Sequence, residues 1–268
     1  PIFADIDPKT FLIDINDVKK KITKKTKVII PVHIYGQSCE IDTLLNLSKS
    51  KKIKIVEDCA QGHGTKFKNK HVGNFGSTGC FSFYPTKNLG AIGDGGCVIT
   101  NNKKLYERLK ILRNFGWEKK FDSSIIGLNS RLDEIQASIL RIKLRRLNSY
   151  NNYRKNIAKK YSKFLSKNTH IDLPTLYKNS NHTYHQYVIK VSKKNRNKLI
   201  EYCKNKQVIL GIHYPIPLHK QKAFILKKYF LPHVEKISKE IISLPIFPYL
   251  KINDQMKIIN LIKKFFKN

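Results

Sequence analysis

One lysine in this sequence has a setting suited to covalent chemistry. Lys87 follows the apolar segment FSFYPT and precedes the glycine-rich segment GAIGDGG, whereas most other lysines stand in charged clusters. A lysine at the end of a buried strand would be partly desolvated, and the resulting lower pKa lets its amine attack an aldehyde. The alternative is a lysine with a structural role only. Lys87 is therefore the first candidate for a catalytic residue.

An acidic pair ends a second apolar segment, IKIVED. A strand here would place Asp58 at the carboxyl edge of the sheet, where α/β proteins bind their ligands. Asp58 is therefore a candidate ligand-binding residue. The alternative is that Asp58 caps the N-terminus of a following helix.

Glycines 93, 95 and 96 surround Asp94 a few residues after Lys87. Such a cluster indicates a tight, hairpin-like turn in which the backbone takes a positive φ or passes close to a bulky group. The segment lacks the GxGxxG and GKS/T forms of phosphate-binding loops. We therefore interpret it as a turn rather than as a nucleotide cradle.

The elements that would position these residues alternate between short strands and longer helices. This alternation is typical of an α/β fold with a largely parallel sheet. The predicted strands are Ile2 to Ala4, Val28 to Val32, Ile53 to Val56, Gly79 to Tyr84 and Cys97 to Thr100. The predicted helices are Ile15 to Ile22, Glu40 to Ser50 and Lys103 to Asn114.

A long amphipathic helix is predicted from Arg131 to Leu165, with apolar residues at three- and four-residue steps. Because a helix of this length can leave one domain and enter another, we predict a boundary near residue 150. Residues 1–150 then form a large domain, with helices flanking a mostly parallel sheet, and residues 151–268 form a smaller α+β domain. The smaller domain contains a predicted strand (Gln186 to Val191), two predicted helices (Arg196 to Asn205 and Asp254 to Phe266) and a Pro-rich stretch (His213 to Leu218).

The formal net charge of +33 first suggests a polyanion partner, such as nucleic acid or a membrane surface. Only eight of the 52 basic residues are arginines, however, and phosphate readers favour the bidentate guanidinium group. Lysine is spread along the whole chain beside abundant Ile and Asn, as a compositional bias of the source genome would produce. We therefore predict a solvated lysine surface, without a specific nucleic-acid or membrane partner.

The five cysteines are odd in number and lack CxxC spacing, which indicates reduced residues of a cytoplasmic protein. No apolar run approaches the roughly 18 residues that a membrane helix needs, and we predict no metal site. The sequence begins at Pro1, directly before an apparent strand, and Met256 is its only methionine. We therefore expect an N-terminally incomplete piece of a longer protein.

A collinear series of segments resembles the DegT/DnrJ/EryC1 family of sugar-nucleotide aminotransferases, over nearly the whole chain. The segments are PIFADID, VIIPVHIYGQ, VEDCAQ, FSFYPTKNLGAIGDGG, GLNSRLDEIQASIL, HQYVIK, HYPIPLH and SLPIFP. The resemblance implies a fold-type I enzyme that depends on pyridoxal 5'-phosphate. The family also has a further N-terminal segment, with a Gly-Thr pair for the cofactor phosphate and an aromatic residue that stacks on the ring. This sequence does not contain that segment, so it supplies only part of the phosphate site.

The resemblance also implies roles for individual residues. Lys87 would form the Schiff base with the cofactor, and Asp58 would pair with the pyridinium nitrogen, which keeps the ring an electron sink. Gln61 would hydrogen-bond the phenolic oxygen of the cofactor, and Ser82 would bind its phosphate. Asn129 would reach the phosphate of the neighbouring subunit's cofactor, which implies a homodimer with shared active sites.

Other polar residues in the matching segments have weaker assignments. By the resemblance, those near the sugar-nucleotide side of the site are His185, His213, Tyr214 and His219. His33 and His63 are interpreted instead as packed structural histidines. Asn129 or Ser130 could alternatively cap the long helix, with Asp133 or Glu134 completing a capping box.

The resemblance predicts transamination of a keto group on a nucleotide-linked hexose, with glutamate as amino donor, in amino-sugar and surface-polysaccharide biosynthesis. Related sugar dehydratases have His in place of the lysine, so Lys87 favours transamination over deoxygenation. The forms GLNSRLDEIQA and HYPIPLH slightly favour a 3-keto over a 4-keto sugar. The alternatives are a non-catalytic or truncated relative that keeps the fold and, further off, a polyanion-binding protein.

Overall fold

The computed structural model describes residues 1–224 and 229–267. Its first elements are α1 (Ile15–Lys21), β1 (Val28–Ile29), a 3₁₀ turn (Ile34–Gly36), α2 (Ile41–Lys51), β2 (Lys54–Asp58), β3 (Lys66–Phe67), β4 (Lys70–His71), β5 (Thr78–Ser82), β6 (Gly96–Ile99), α3 (Lys103–Leu112), β7 (Trp117–Lys119) and β8 (Asp122–Ser123). The later elements are α4 (Glu134–Leu165), β9 (Ile171–Asp172), β10 (Tyr187–Val191), α5 (Lys193–Lys204), two 3₁₀ turns (Leu218–Lys220 and Lys222–Phe224), α6 (Pro232–Ile237), β11 (Ile241–Leu244) and α7 (Ile252–Lys267).

The first half of the chain builds a mixed sheet in the order β1-β2-β5-β6. Strand β2 is parallel to both β1 and β5, while β6 returns antiparallel to β5. Most pairings are thus parallel, as the alternation of strands and helices predicts. Because parallel strands end at the same edge, the chain leaves β2 at Asp58 and β5 at Ser82 side by side.

Helices α1 and α2 cover one face of this sheet. Their apolar residues Val18, Ile41 and Leu44 pack with Ile29 and Ile55 of the strands in one buried cluster. Residues 41 and 44 lie three positions apart, which puts their side chains on the same face of α2. The burial of this helical face fixes the sheet edge from which the candidate site is built.

The strand predicted at Ile2 to Ala4 is wrong. The structure has only an isolated bridge in this region, between Ile6 and Ile13. The Asp7 carboxylate accepts hydrogen bonds from the amides of Lys9 and Thr10 and from the Thr10 hydroxyl, which turns the chain at once. The extended run is therefore too short to pair with the central sheet.

The glycines of the predicted turn serve close approach and not positive φ. Gly93, Gly95 and Gly96 are absent from the residues with positive φ in the described chain. A Cβ at Gly96 would lie 2.7 Å from the carbonyl oxygen of Phe81, and one at Gly93 would lie 2.8 Å from the Gln136 amide nitrogen. The side chain of Gln136 also accepts hydrogen bonds from the amides of Ile92 and Gly93, so this turn docks on the start of α4.

The second half builds an antiparallel sheet in the order β11-β10-β9. The largest buried cluster packs this sheet against α4, α5 and α7, with Tyr161, Leu199 and Ile259 fully buried. The predicted boundary near residue 150 falls inside α4, which continues unbroken to Leu165. Residues of both halves also share a buried cluster, in which Tyr35 packs with Val188. The division into domains at 150 stays a prediction.

Candidate active site

The structure places Lys87 and Asp58 together at the carboxyl edge of the central sheet. Asp58 ends β2 and is paired across the sheet with Cys80 of β5, while Lys87 lies in the turn that follows β5, its amide bonded to the Tyr84 carbonyl oxygen at 2.9 Å. Both side chains are half-buried. Burial lowers the pKa of Lys87, and the nearby negative charge of Asp58 opposes part of that effect.

Asp58 does not cap a helix, because no helix follows β2 in the described chain before residue 65. Its carboxylate accepts instead a hydrogen bond from the amide of Ala60 at 2.9 Å, within a short turn. That alternative from the sequence is therefore wrong. One carboxylate oxygen remains without a protein donor in the described residues, and it is available to a cationic group of a ligand.

Gln61 lies in the turn after β2 and links this turn to the second half of the chain. Its side-chain oxygen accepts from the amide of Tyr35 at 2.5 Å, and its nitrogen donates to the Tyr214 hydroxyl at 3.2 Å. The Tyr35 hydroxyl in turn donates to the carbonyl oxygen of His213. These contacts bring three residues singled out in the sequence, Gln61, His213 and Tyr214, into one hydrogen-bonded group.

Three histidines lie near enough to Lys87 for its charge to affect their titration. Burial, followed by the positive charge of Lys87, lowers the pKa of His63 to about 4 and that of His185 to about 3. The same two causes lower the pKa of His213. His185 bonds the Asn88 side chain and His213 bonds Ser243, whereas both ring nitrogens of the buried His63 lack a partner among the described residues. The surroundings of Lys87 therefore hold neutral imidazoles at neutral pH.

A cavity of about 430 Å³ opens beside Lys87. Its polar wall includes Lys143, Tyr150 and Arg154 of α4 together with His185. The remaining lining residues are Pro85, Thr86, Asn88, Gly90, Gln186, Ile246, Phe247 and Pro248. Asp58, Gln61 and Ser82 are not part of this wall, so Lys87 lies between the carboxyl edge of the sheet and the cavity.

Other predicted site residues lie outside this group. Ser82 ends β5, where its hydroxyl accepts a hydrogen bond from the amide of Tyr84 at 3.3 Å. Asn129 is exposed, and its side chain accepts from Arg131 at 3.2 Å. His219 is buried and hydrogen-bonds the Glu235 side chain at 3.0 Å, and its partners in the described residues, Glu235, Phe3 and Tyr229, do not line the cavity.

The alternative role of Asn129 or Ser130 as a helix cap is wrong. Helix α4 begins at Glu134, and its N-cap residue is Asp133, whose side chain makes no capping hydrogen bond. Asn129 therefore does not cap this helix.

Two cavity residues of α4, Arg154 and Lys143, were not identified as candidates from the sequence. Arg154 is buried on the helix face that also carries Leu147, Asn151 and Ala158. A charged residue at the three- and four-residue spacing of a buried face is a signal that could have identified it. Lys143 offers no such signal, because it stands among the exposed arginines Arg141, Arg145 and Arg146.

Glu57, the residue before Asp58, forms a buried pair with His33. Glu57 bonds the ring of His33 at 3.1 Å and also accepts from the amides of Gly73, Phe75 and Gly76. His33 and Glu57 lie close enough to Cys59 for a shared metal ion. The other ring nitrogen of His33 accepts from the amide of Cys39, however, so both ring nitrogens of His33 and both carboxylate oxygens of Glu57 already have protein partners. The arrangement is that of a structural network.

The donor set fits pyridoxal 5'-phosphate. The structure offers a primary amine of lowered pKa, a carboxylate beside it and an open cavity against the amine. The amine matches an aldehyde, and the carboxylate matches a protonated ring nitrogen. None of the helices in the described ranges has both the length and the apolar composition to cross a membrane.

Comparison with known proteins identifies the family. The chain matches the DegT/DnrJ/EryC1/StrS aminotransferase family over residues 1–263. It is 39% identical to a pleiotropic regulatory protein of Geobacillus stearothermophilus, covering all of this chain and 73% of that protein. It is 41% identical to the dTDP-3-amino-3,6-dideoxy-alpha-D-galactopyranose transaminase of Aneurinibacillus thermoaerophilus, covering 99% of this chain and 72% of that one.

Among solved structures, DesV of S. venezuelae in complex with a ketimine intermediate matches all of this chain and 72% of its own. The sequence identity is 34% and the TM-score is 0.96. The predicted family, fold class and cofactor are thereby confirmed. The chain belongs to the DegT/DnrJ/EryC1/StrS aminotransferase family, as a pyridoxal-phosphate-dependent sugar aminotransferase of fold-type I.

Proposed function

We propose that this enzyme transfers an amino group from glutamate to the 3-keto carbon of a nucleotide-linked hexose. The observation that carries the proposal is the half-buried amine of Lys87, with its lowered pKa, between Asp58 and an open cavity. The name of the Aneurinibacillus relative, which specifies a 3-amino sugar, supports the 3-keto position. The product fits amino-sugar and surface-polysaccharide biosynthesis.

Each residue of the group would have one task. When bound, the cofactor supplies a ring that accepts the electron pair left behind as a proton leaves the amino-bearing carbon. Lys87 would hold the cofactor and, once free, would move that proton between the amino-bearing carbon and C4′ of the cofactor, which its lowered pKa favours. Asp58 holds a proton on the ring nitrogen. Gln61 would orient the cofactor ring by a hydrogen bond to the phenolic oxygen of the cofactor, and the Ser82 hydroxyl would donate to the cofactor phosphate.

The sugar-nucleotide side would lie at the cavity and at the loop that carries His213 and Tyr214. His185 lines the cavity, while Tyr214 is 53% exposed and bonded to Gln61. We include His219 by the resemblance alone, because its partner in the structure is Glu235. Assays with matched 3-keto and 4-keto nucleotide hexoses test the ring position, and faster turnover of the 4-keto substrate would reject our choice.

We also propose a homodimer in which Asn129 reaches the partner's cofactor. The loops that lead to Asn129 expose large apolar side chains, with Phe121 76%, Ile126 97% and Leu128 72% exposed. Such a patch is typical of a protein interface. A monomer in sedimentation equilibrium at micromolar concentration would contradict the proposed homodimer.

The unpaired cysteines suit the cytoplasm, where thiols stay reduced.

The attachment of the cofactor to Lys87 provides the direct test. Purified protein is incubated with pyridoxal 5'-phosphate, reduced with borohydride and digested, and mass spectrometry locates the cofactor. We expect the label on Lys87 in the wild-type protein and no label there in Lys87→Ala. Addition of L-glutamate before reduction should bleach the visible absorbance of the holoenzyme and release 2-oxoglutarate.

The matched control is Lys103→Ala, which removes an exposed lysine at the start of α3. This variant should load and react like the wild type. A label spread over surface lysines, or a wild-type protein that stays colourless, would favour the alternative of a non-catalytic relative.

A further inference from the structure

Arg154 carries a buried positive charge without an acidic partner among the described residues. It lies in the middle of α4 and is 7% exposed. Its Nη1 atom donates to the carbonyl oxygens of Tyr184, His185 and Ile246 at 3.2, 3.4 and 2.9 Å. Its Nε atom is buried and has no acceptor among the described residues.

This arrangement leaves most of the charge uncompensated. Backbone carbonyls offset part of a cation's lost hydration, but buried charges in proteins are otherwise paired, since an unpaired one costs several kcal/mol. Burial lowers the pKa of Arg154 to about 10, and no carboxylate contributes to that value. The guanidinium is therefore still charged at neutral pH. Its buried Nε–H group is a hydrogen-bond donor without an acceptor among the described residues.

The charged residues that line the cavity beside Arg154 are all positive. Lys87 and Lys143 also line it, and no aspartate or glutamate is found among its described lining residues. The Lys143 amine reaches across to the carbonyl oxygen of Gly90 at 2.6 Å. The charge of the cavity is thus not the solvated lysine surface seen elsewhere, because its cations are wholly or partly buried around one space.

We propose that Arg154, assisted by Lys143, binds the carboxylate of the amino donor. The inference rests on the proposed transamination, which requires the amino-bearing carbon of the donor to reach Lys87. In an α-amino acid the carboxylate is one bond from that carbon, so it lies close to Lys87, and the cavity that borders Lys87 has room and positive charge for it. The planar guanidinium suits a carboxylate. The diphosphate of a nucleotide sugar is separated from the keto carbon by ring atoms and can lie outside.

Calorimetric binding of glutarate to the cofactor-loaded protein tests this assignment without turnover, because glutarate has no amine to transfer. Uridine diphosphate is the second probe. We expect Arg154→Gln to weaken glutarate binding about tenfold or more, Arg154→Lys to weaken it less, and both to leave uridine diphosphate binding within about twofold. The matched control is Arg145→Gln, an exposed arginine on the same helix, which should bind both probes like the wild type.

Unchanged glutarate affinity in folded Arg154→Gln would overturn the proposal, as would an equal loss of uridine diphosphate binding, which would assign the cavity to the diphosphate. If Arg154→Gln fails to fold by circular dichroism, Lys143→Gln decides. That variant should weaken glutarate binding about threefold, and an unchanged affinity would reject the proposal. A protein that binds no cofactor at all would contradict the proposed function instead.

Discussion

Two opposing effects set the protonation of Lys87. Burial disfavours the charged amine, whereas Asp58 favours it, and burial is the larger effect. The balance leaves an amine that loses its proton more readily than a surface lysine. Both residues keep their places through backbone geometry, since one ends a strand and the other follows the neighbouring parallel strand.

The variant Asp58→Asn should lower the pKa of Lys87 further. Asparagine keeps the acceptor for the Ala60 amide but removes the charge that stabilises the ammonium form. We expect the pKa of Lys87 to decrease in the protein without cofactor. The pH dependence of Lys87 labelling by an amine reagent, read by mass spectrometry, measures it. The exposed Asp122→Asn serves as control, and an unchanged or raised pKa would contradict the assigned effect.

At the residue scale, the sequence pattern was sufficient to locate some site residues but not others. Lys87 and Asp58 stand at the ends of apolar segments, so their location followed from the strands themselves. Arg154 could not be found in this way, because its importance depends on carbonyl groups that are 30 to 92 residues away in the chain. The partner of His219 was equally hidden, since Glu235 lies in a different helix.

At the scale of elements, Glu57 ties the loop after β4 to strand β2. Its side chain is fully buried and accepts hydrogen bonds from three amides of residues 73–76 as well as contacting His33. Burial raises the pKa of the Glu57 carboxyl, but the hydrogen bonds from His33 and from the amides of Gly76 and Gly73 outweigh that effect, so the pKa lies below its ordinary value. The same loop lies against β5, where a Cβ at Gly79 would come within 2.3 Å of the Cα atom of Gly73.

We expect Glu57→Gln to reduce the free energy of unfolding by about 2–4 kcal/mol. The amide keeps one acceptor oxygen but places an NH₂ group where amides need an acceptor, so buried donors lose their partners. Urea denaturation followed by circular dichroism measures the change. The exposed Glu118→Gln should alter stability by less than about 0.5 kcal/mol. A similarly small effect of Glu57→Gln would show that the loop does not depend on this carboxylate.

The periodicity of apolar residues predicted six of the seven described α-helices to within a few positions, because most of them bury one face, whereas α6 was not predicted. The predicted α4, for example, begins three residues before its observed start at Glu134 and ends at the same residue. The strand at Ile2 to Ala4 failed because composition does not reveal whether a pairing partner is within reach. Hydrogen bonds such as those from the Asp7 side chain decide such cases locally.

At the scale of the whole molecule, buried neutral histidines make stability depend on pH. Burial is the main cause that lowers the pKa of His63 to about 4 and those of His182 and His185 to about 3. In the unfolded chain these groups take up protons near pH 6.5. Between the two values the unfolded state binds more protons than the folded state, so acidification favours unfolding.

We therefore expect the free energy of unfolding to fall as the pH decreases from about 6.5 toward 4, at up to about 1.4 kcal/mol per pH unit for each histidine, with no contribution from these groups above 6.5. Urea titrations at several pH values give the slope. His182→Asn, which keeps an acceptor for the Tyr184 amide, should reduce the slope by about one group. The exposed His170→Asn should leave it unchanged. A flat profile would show that these rings are not desolvated.

Helix α4 also fixes the spacing of the whole molecule. Asn151 bonds the His63 carbonyl and the Asn88 side chain of the first half, and one turn later Arg154 bonds carbonyls of the second half. A single inserted or deleted residue between Asn151 and Arg154 would rotate the remainder of the helix by about 100° and shift it by about 1.5 Å. One of the two sets of contacts would then be lost. This stretch can therefore tolerate changes of side chain far more readily than changes of length.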